Sequence, residues 1–176
     1  MQNKVVLKII TAGDGGVGKT TLLHRFVNGK FLSDTLMTLG VEFHQKIITI
    51  GDSTECKLVL WDLSGQEQFR IFFDRFMDGA NGAILMFDLS RFGTLESIDD
   101  WVEIVQTYDP KIPIILIGGK SDLEEDSTYD EEKTMEYVEK FNFHHFIKVS
   151  SLTGENVEKA FHLLSEEILK VKKIDI

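Results

Sequence analysis

The sequence predicts an α/β protein of three layers, a six-stranded and mostly parallel sheet with one antiparallel edge strand and helices on both faces. Three observations carry this. Several short runs are apolar at nearly every position, as strands buried on both faces must be. These runs alternate with segments whose apolar residues recur at helical spacing, the pattern of a parallel sheet covered by crossover helices. One pair of alternating runs flanks Gly51-Asp52-Ser53, which marks a hairpin and hence one antiparallel pairing.

VVLKII (residues 5–10) is the first buried strand. The run KTTLLHRFVNG follows as a helix, with Leu22, Leu23, Phe26 and Val27 on one face and Gly29 as its stop. FLSDTLMTLG has no period and is a loop. The hairpin strands are expected at residues 41–50 and 55–62, followed by a short helical piece, EQFRIFFDRFM. GAILMFDLS (residues 82–90) is a buried strand, and a helix over residues 95–108 ends before Pro110. IPIILIGG is the next buried strand. A helix over residues 129–141, a short strand HHFIKVS and a helix over residues 155–172 complete the chain, the last with Val157, Phe161, Leu164 and Ile168 as its apolar stripe. Nothing suggests a repeat, so residues 1–176 are read as one domain.

The formal net charge is −10, which argues against non-specific binding to nucleic acid or anionic lipid, since both reward positive charge. Cys56 is the only cysteine, so no disulfide framework exists and a reducing, cytoplasmic setting is expected. No apolar run is long enough to span a bilayer. Gln2 stands where myristoylation needs glycine, and LKVKKIDI offers no terminal cysteine to prenylate, so no stable membrane insertion is expected. The acidic run DLEEDSTYDEE reads as a solvated loop and a favourable helix N-terminal turn, with a cation or partner site as the alternative.

Gly13-x-x-x-x-Gly18-Lys19-Thr20 matches the P-loop pattern, and its place between a buried strand and a helix gives the pattern meaning. Glycines let successive N–H groups turn inward around an anion, and the helix N-terminus adds partial positive charge. Lys19 can reach β- and γ-phosphates and the Thr20 hydroxyl can ligate Mg²⁺. An acidic protein can therefore bind an anion through its backbone. The fold class is accordingly that of the P-loop NTPases. WDLSGQE ends a buried strand beside this loop, which lets Asp62 hold Mg²⁺ directly or through a water. Gly65 can offer an N–H to a γ-phosphate, and the Gln66 amide can orient an attacking water.

GDGGVGKT, MTLGVEF, WDLSGQE, GGKSD and VSSLTG occur in the order and spacing of the Ras-like small GTPases, and the resemblance covers essentially the whole chain. GVEF with WDLSGQEQFR is most similar to the Rab branch, whose usual forms are GVDF and WDTAGQERFR. The resemblance implies a molecular switch that hydrolyses GTP to GDP and phosphate with Mg²⁺, slowly alone and faster with a partner. It implies nucleotide contacts from Gly13, Asp14, Gly15, Gly16, Val17, Gly18, Lys19, Thr20 and Thr21, from Thr38 and Gly65, and from Phe31 against the guanine. At the base it implies Lys120, Asp122, Ser150, Ser151 and Leu152. Gln66, Lys19 and Thr38 would serve catalysis, and Thr20, Thr38 and Asp62 the metal. Residues 32–43 and 65–78 would be the two switches that meet effector, activating or exchange proteins, with Phe43, Trp61 and Phe76 as an aromatic patch. The expected protein is a monomer that meets membranes transiently and through partners.

The match departs at named places. Gly119 stands where the family's base-reading motif has asparagine, so the resemblance implies retained guanine preference but a lost amide contact and faster release. Ser151 and Leu152 replace Ala-Lys, and Ser64 replaces alanine. Two other readings share the P-loop. A phosphotransferase would need an arginine-bearing lid, yet Arg70, Arg75 and Arg91 are scattered. An interaction module with negligible hydrolysis would fit the weakened base motif.

Overall fold

The structure is a computed structural model, and it describes residues 3–34, 36–66, 71–126 and 128–174. Six strands form one sheet in the order β2-β3-β1-β4-β5-β6, where β1 is Asn3–Ala12, β2 Val41–Ile50, β3 Thr54–Leu63, β4 Gly82–Asp88, β5 Ile114–Gly119 and β6 His145–Lys148. All pairings are parallel except β2 with β3, the hairpin at the edge. The helices are α1 (Lys19–Asn28), α2 (Phe73–Met77), α3 (Ile98–Tyr108), α4 (Glu131–Phe141) and α5 (Val157–Val171).

The fully apolar strands sort their side chains by alternation. Leu7 and Ile9 of β1, Ile84 and Met86 of β4, and Ile115 and Ile117 of β5 pack under α1 and α5. Ile10 and Ala12, Ala83, Leu85 and Phe87, and Ile114 and Leu116 face the opposite way, onto α2 and α3. Period-two alternation thus serves two cores, which is why it is invisible as an amphipathic pattern.

Two expected helices differ. The helix expected over 95–108 begins only at Ile98 as α3, and a 3₁₀ stretch, Leu89–Leu95, lies between it and β4, which ends at Asp88 rather than residue 90. Asp88 causes the break by accepting from Ser90 N–H and Ser90 Oγ, while its own N–H donates to Thr94 Oγ1. Of EQFRIFFDRFM, residues 67–70 lie outside the described residues and the α-helix proper is α2. In the acidic run, Asp130 caps α4 by accepting from Lys133 N–H at 2.9 Å, and Glu131 and Glu132 occupy the first turn, which is the helix-terminal role expected. Ser127 lies outside the described residues. No helix among the described residues is long and apolar enough to cross a membrane.

Candidate functional site

The loops leaving the C-terminal ends of β1, β3, β5 and β6, with Met86 of β4 between them, enclose a cleft of about 450 Å³. Open α/β sheets bind ligands at this edge. Its walls are the loop and helix start from Gly15 to Thr21, then Phe31, Thr38 and Gly65 on one side. Lys120, Asp122, Ser151 and Leu152 close the other. The expected site residues Gly13, Asp14, Asp62, Gln66 and Ser150 do not line this cleft.

Gly13 holds φ +146°, and a Cβ there would lie 2.2 Å from the Met86 carbonyl oxygen, so only glycine fits. Gly65 is equally constrained, because a Cβ would meet the Asp14 carbon and the Gly15 nitrogen at 2.4 Å. The segment after β3 therefore lies directly on the phosphate loop. Lys19 is 6% exposed and its Nζ donates to Gly13 O at 2.7 Å and Asp14 O at 2.8 Å. Burial lowers its ammonium to about 8, against the pull of Asp62 and Asp14, so it remains mostly charged at neutral pH. The Asp14 carboxylate accepts from Trp101 Nε1 at 3.1 Å, which commits that side chain to α3 and leaves its backbone to the loop.

Thr20 Oγ1 and Thr38 Oγ1 lie 2.8 Å apart, and Thr20 Oγ1 donates to Asp62 Oδ2 at 2.5 Å. Asp62 is fully buried, and its Oδ1 has no protein partner among the described residues. Burial raises its pKa and so favours the neutral carboxyl, opposed by the Thr20 hydrogen bond and Lys19. Glu42 and His44 on β2 share its face, and the three offer ligand atoms within 4.8 Å of one another. Mg²⁺ takes oxygens in an octahedron at about 2.0–2.1 Å, which sets adjacent oxygens roughly 2.9 Å apart. The two hydroxyls match that spacing, and the orphaned carboxylate oxygen supplies an acceptor for the ion or its water. The residues fit Mg²⁺.

At the other end, Lys120 has φ +61°, a strained value for a side-chain-bearing residue. Its Nζ donates to Asp88 Oδ2 at 2.6 Å and to Gly16 O at 3.0 Å, strapping this loop to the phosphate loop. Asp122 is exposed and accepts from the buried Ser150 Oγ at 2.5 Å, so Ser150 acts by orienting Asp122. Gly119 is not a vacancy. A Cβ there would lie 2.2 Å from Met86 Cε, so a methionine methyl already fills the space.

Asp88, which the sequence reading passed over, also holds Arg91, whose Nε donates to Asp88 Oδ2 at 2.9 Å and whose Nη2 reaches Gly15 O at 3.3 Å. Arg91 is thus seated against the phosphate loop, closer to the site than its scattered place in the chain suggested. Burial of Asp88 opposes its ionisation, but hydrogen bonds from Lys120, Ser90 and Arg91 outweigh this and hold its carboxyl below the usual range. Such a group stabilises the fold above its unfolded value of about 4 and loses that contribution as pH falls through its lower folded value. Asp88→Asn is expected to cost about 1–3 kcal/mol at pH 7, discounted for the half-exposed cations. Urea midpoints should show that gap narrowing as pH drops below about 4; an equal gap at pH 3 and pH 7 would contradict it.

Gln66 is half-buried, and its N–H donates to Ser64 Oγ at 3.3 Å. Ser64 is buried and its N–H donates to Gly40 O at 2.8 Å, which couples the segments carrying Thr38 and Gln66. The hydroxyl that replaces a methyl thus supports Gln66's backbone. Phe43 meets Trp61 edge-on at 4.6 Å and Trp61 meets Phe76 at 5.9 Å, so the expected aromatic patch is continuous.

A family model described as the Ras family matches residues 8–170. The chain is 38% identical over 176 residues to Ras-related protein Rab-4B of Homo sapiens, covering 97% of this chain and 78% of that protein. It is 38% identical over 164 residues to RABA4b of Arabidopsis thaliana, covering 93% and 72% respectively. To Rab-27A of Rattus norvegicus it is 34% identical over 176 residues, covering 94% and 79%.

Proposed function

The chain belongs to the Ras family, on its Rab branch, and from that membership we propose how its cleft works as a GTP-driven switch. It is a GTP-binding, Mg²⁺-dependent hydrolase that converts GTP to GDP and phosphate. The observation that carries the residue assignment is the convergence of Lys19, Thr20, Thr38 and Asp62 at the phosphate-loop end of one cleft.

In the proposed mechanism the phosphate-loop N–H groups and the Lys19 ammonium hold the β- and γ-phosphates. Thr20 and Thr38 would ligate Mg²⁺, with Asp62 Oδ1 holding the ion or a coordinated water. When bound, the ion neutralises charge on the phosphate oxygens. The Gln66 side-chain amide orients a water in line with the γ-phosphorus. The water oxygen bonds to phosphorus as the bond to the bridging oxygen breaks, the electron pair leaves with GDP, and one water proton passes to an oxygen of the released phosphate while the other stays on the attacking oxygen. Lys120 lays its stem along the purine, and Asp122, aimed by Ser150, accepts from the guanine N1–H and 2-amino groups. Adenine lacks both donors in that register and is rejected.

As a family member the protein works with exchange factors, activating proteins and effectors. Residues 32–43 and 65–78 are proposed as their surface, and residues 35 and 67–70 of it lie outside the described residues. Leu36, Met37, Leu39 and Ile71 leave large apolar side chains exposed there, and Phe43 is 57% exposed. Such unspent apolar surface around a ligand-responsive loop favours a partner. The chain is proposed to act in the cytoplasm and to reach membranes through those partners.

The test is phosphate release. The purified chain should retain a guanine nucleotide and release phosphate from GTP with Mg²⁺ but not with excess chelator. Thr38→Ala should weaken GTP about tenfold or more and leave GDP nearly unchanged, because Thr38 serves only the triphosphate state. Equal weakening of both nucleotides would remove Thr38 from the switch.

A further inference from the structure

We infer that Met86 is a positioning residue that wedges the phosphate loop against the base-reading loop and sets how slowly the nucleotide leaves. The inference rests on the reading of the cleft given above.

Met86 sits near the end of β4, on the face turned to α1 and α5, and is 1% exposed. Its carbonyl oxygen stands 2.2 Å from where a Cβ of Gly13 would be. Its methyl stands 3.5 Å from the Cβ position of Gly18 and 2.2 Å from that of Gly119. The Met86 side chain therefore fills the space at Gly119 and touches the Gly18 position, while its backbone carbonyl closes Gly13. The Val17 carbonyl oxygen comes within 3.2 Å of the same Gly119 position, so the two loops already approach backbone to backbone. Gly119 has no side chain with which to tie them. What joins them there is the thioether, an unbranched and adaptable filler of irregular gaps. Lys120, held in its strained conformation with Nζ on Gly16 O, adds a polar strap alongside. Loosening the wedge frees the base-reading loop from the phosphates it is registered against, which speeds nucleotide release. Crowding it from Gly119 does the same.

The geometry makes Met86 and Gly119 a matched pair, and a double-variant experiment on the full chain reads this. Dissociation of fluorescently labelled GDP is followed in Mg²⁺ for the parent, M86A, M86L, G119A and M86A/G119A. M86A is expected to release about tenfold faster, through the cavity left beside Gly119, and M86L within about threefold of the parent. G119A is expected to release about threefold faster, since the Met86 methyl can give way but the Val17 carbonyl oxygen, 3.2 Å from the new Cβ, gives less easily. M86A/G119A should release more slowly than either single variant, because the new Cβ takes part of the vacated space. A residue that only stabilised the core would lower the melting temperature without this reversal. If M86A does not fold, M86V replaces it in the same comparison.

Release from M86A at the parental rate, or single-variant effects that multiply in the double, would overturn the inference alone. A parent that held no guanine nucleotide would overturn the reading of the cleft, and this inference with it.

Discussion

Replacing Lys19 with methionine is expected to weaken both GDP and GTP binding by about 10–10²-fold. The length of the side chain is kept and only the ammonium is lost. Its Nζ already donates to the Gly13 and Asp14 carbonyls, which aims the remaining donor capacity at the anion cradle. The one N–H left would make a charge-assisted hydrogen bond to a phosphate, worth roughly 1.5–3 kcal/mol. At about 1.4 kcal/mol per factor of ten, this is the range stated. The empty protein should suffer much less, since methionine removes a buried ammonium while leaving two carbonyls short of a donor. Competition against fluorescent GDP measures the loss. Affinity within a few-fold of the parent would place the ammonium away from the phosphates.

Gln66→Leu is expected to leave GDP and GTP affinity within a few-fold and to lower hydrolysis about 10²-fold. Misplacing a reacting group by about an ångström costs that much. Leucine keeps the volume and the backbone N–H that rests on Ser64 Oγ, so the segment stays in place while the water loses its guide. The defect should persist in the presence of an activating partner. An arginine supplied in trans accelerates hydrolysis about 10³–10⁵-fold only when the water is also positioned. Single-turnover phosphate release separates this from a binding defect, and a leucine variant as fast as the parent would end the role given to Gln66.

The strands were legible because parallel strands buried on both faces are apolar throughout, as GAILMFD and IILIGG are. Helix starts were less legible, because Asp88 and Thr94 rewrite residues 89–95 through side-chain hydrogen bonds that no apolar period records. In the site, Lys19, Thr20, Asp62, Lys120 and Asp122 could be read because each belongs to a short local pattern with a chemical purpose. Met86 and Asp88 could not. Their importance comes from strand register, which sets Asp88 opposite Gly119 and Met86 opposite Ile117 across β4 and β5. A lone acid ending an apolar strand was the signal available for Asp88, the same signal used for Asp62. Gly119 shows the limit most clearly. Its sequence context reads as a missing amide, and the fold shows a filled space.

The central claim is that this cleft holds guanine nucleotide through Lys120 and Asp122 while its phosphates rest on Lys19 and the loop. Displacement of fluorescent GDP by unlabelled GTP and by ATP, in Mg²⁺, tests it most directly. GTP should displace the probe near stoichiometric concentration, and ATP should fail even at about 10³-fold excess, since its purine edge offers the Asp122 carboxylate neither of the two donors that guanine does. Displacement by ATP at concentrations comparable to GTP would contradict the account.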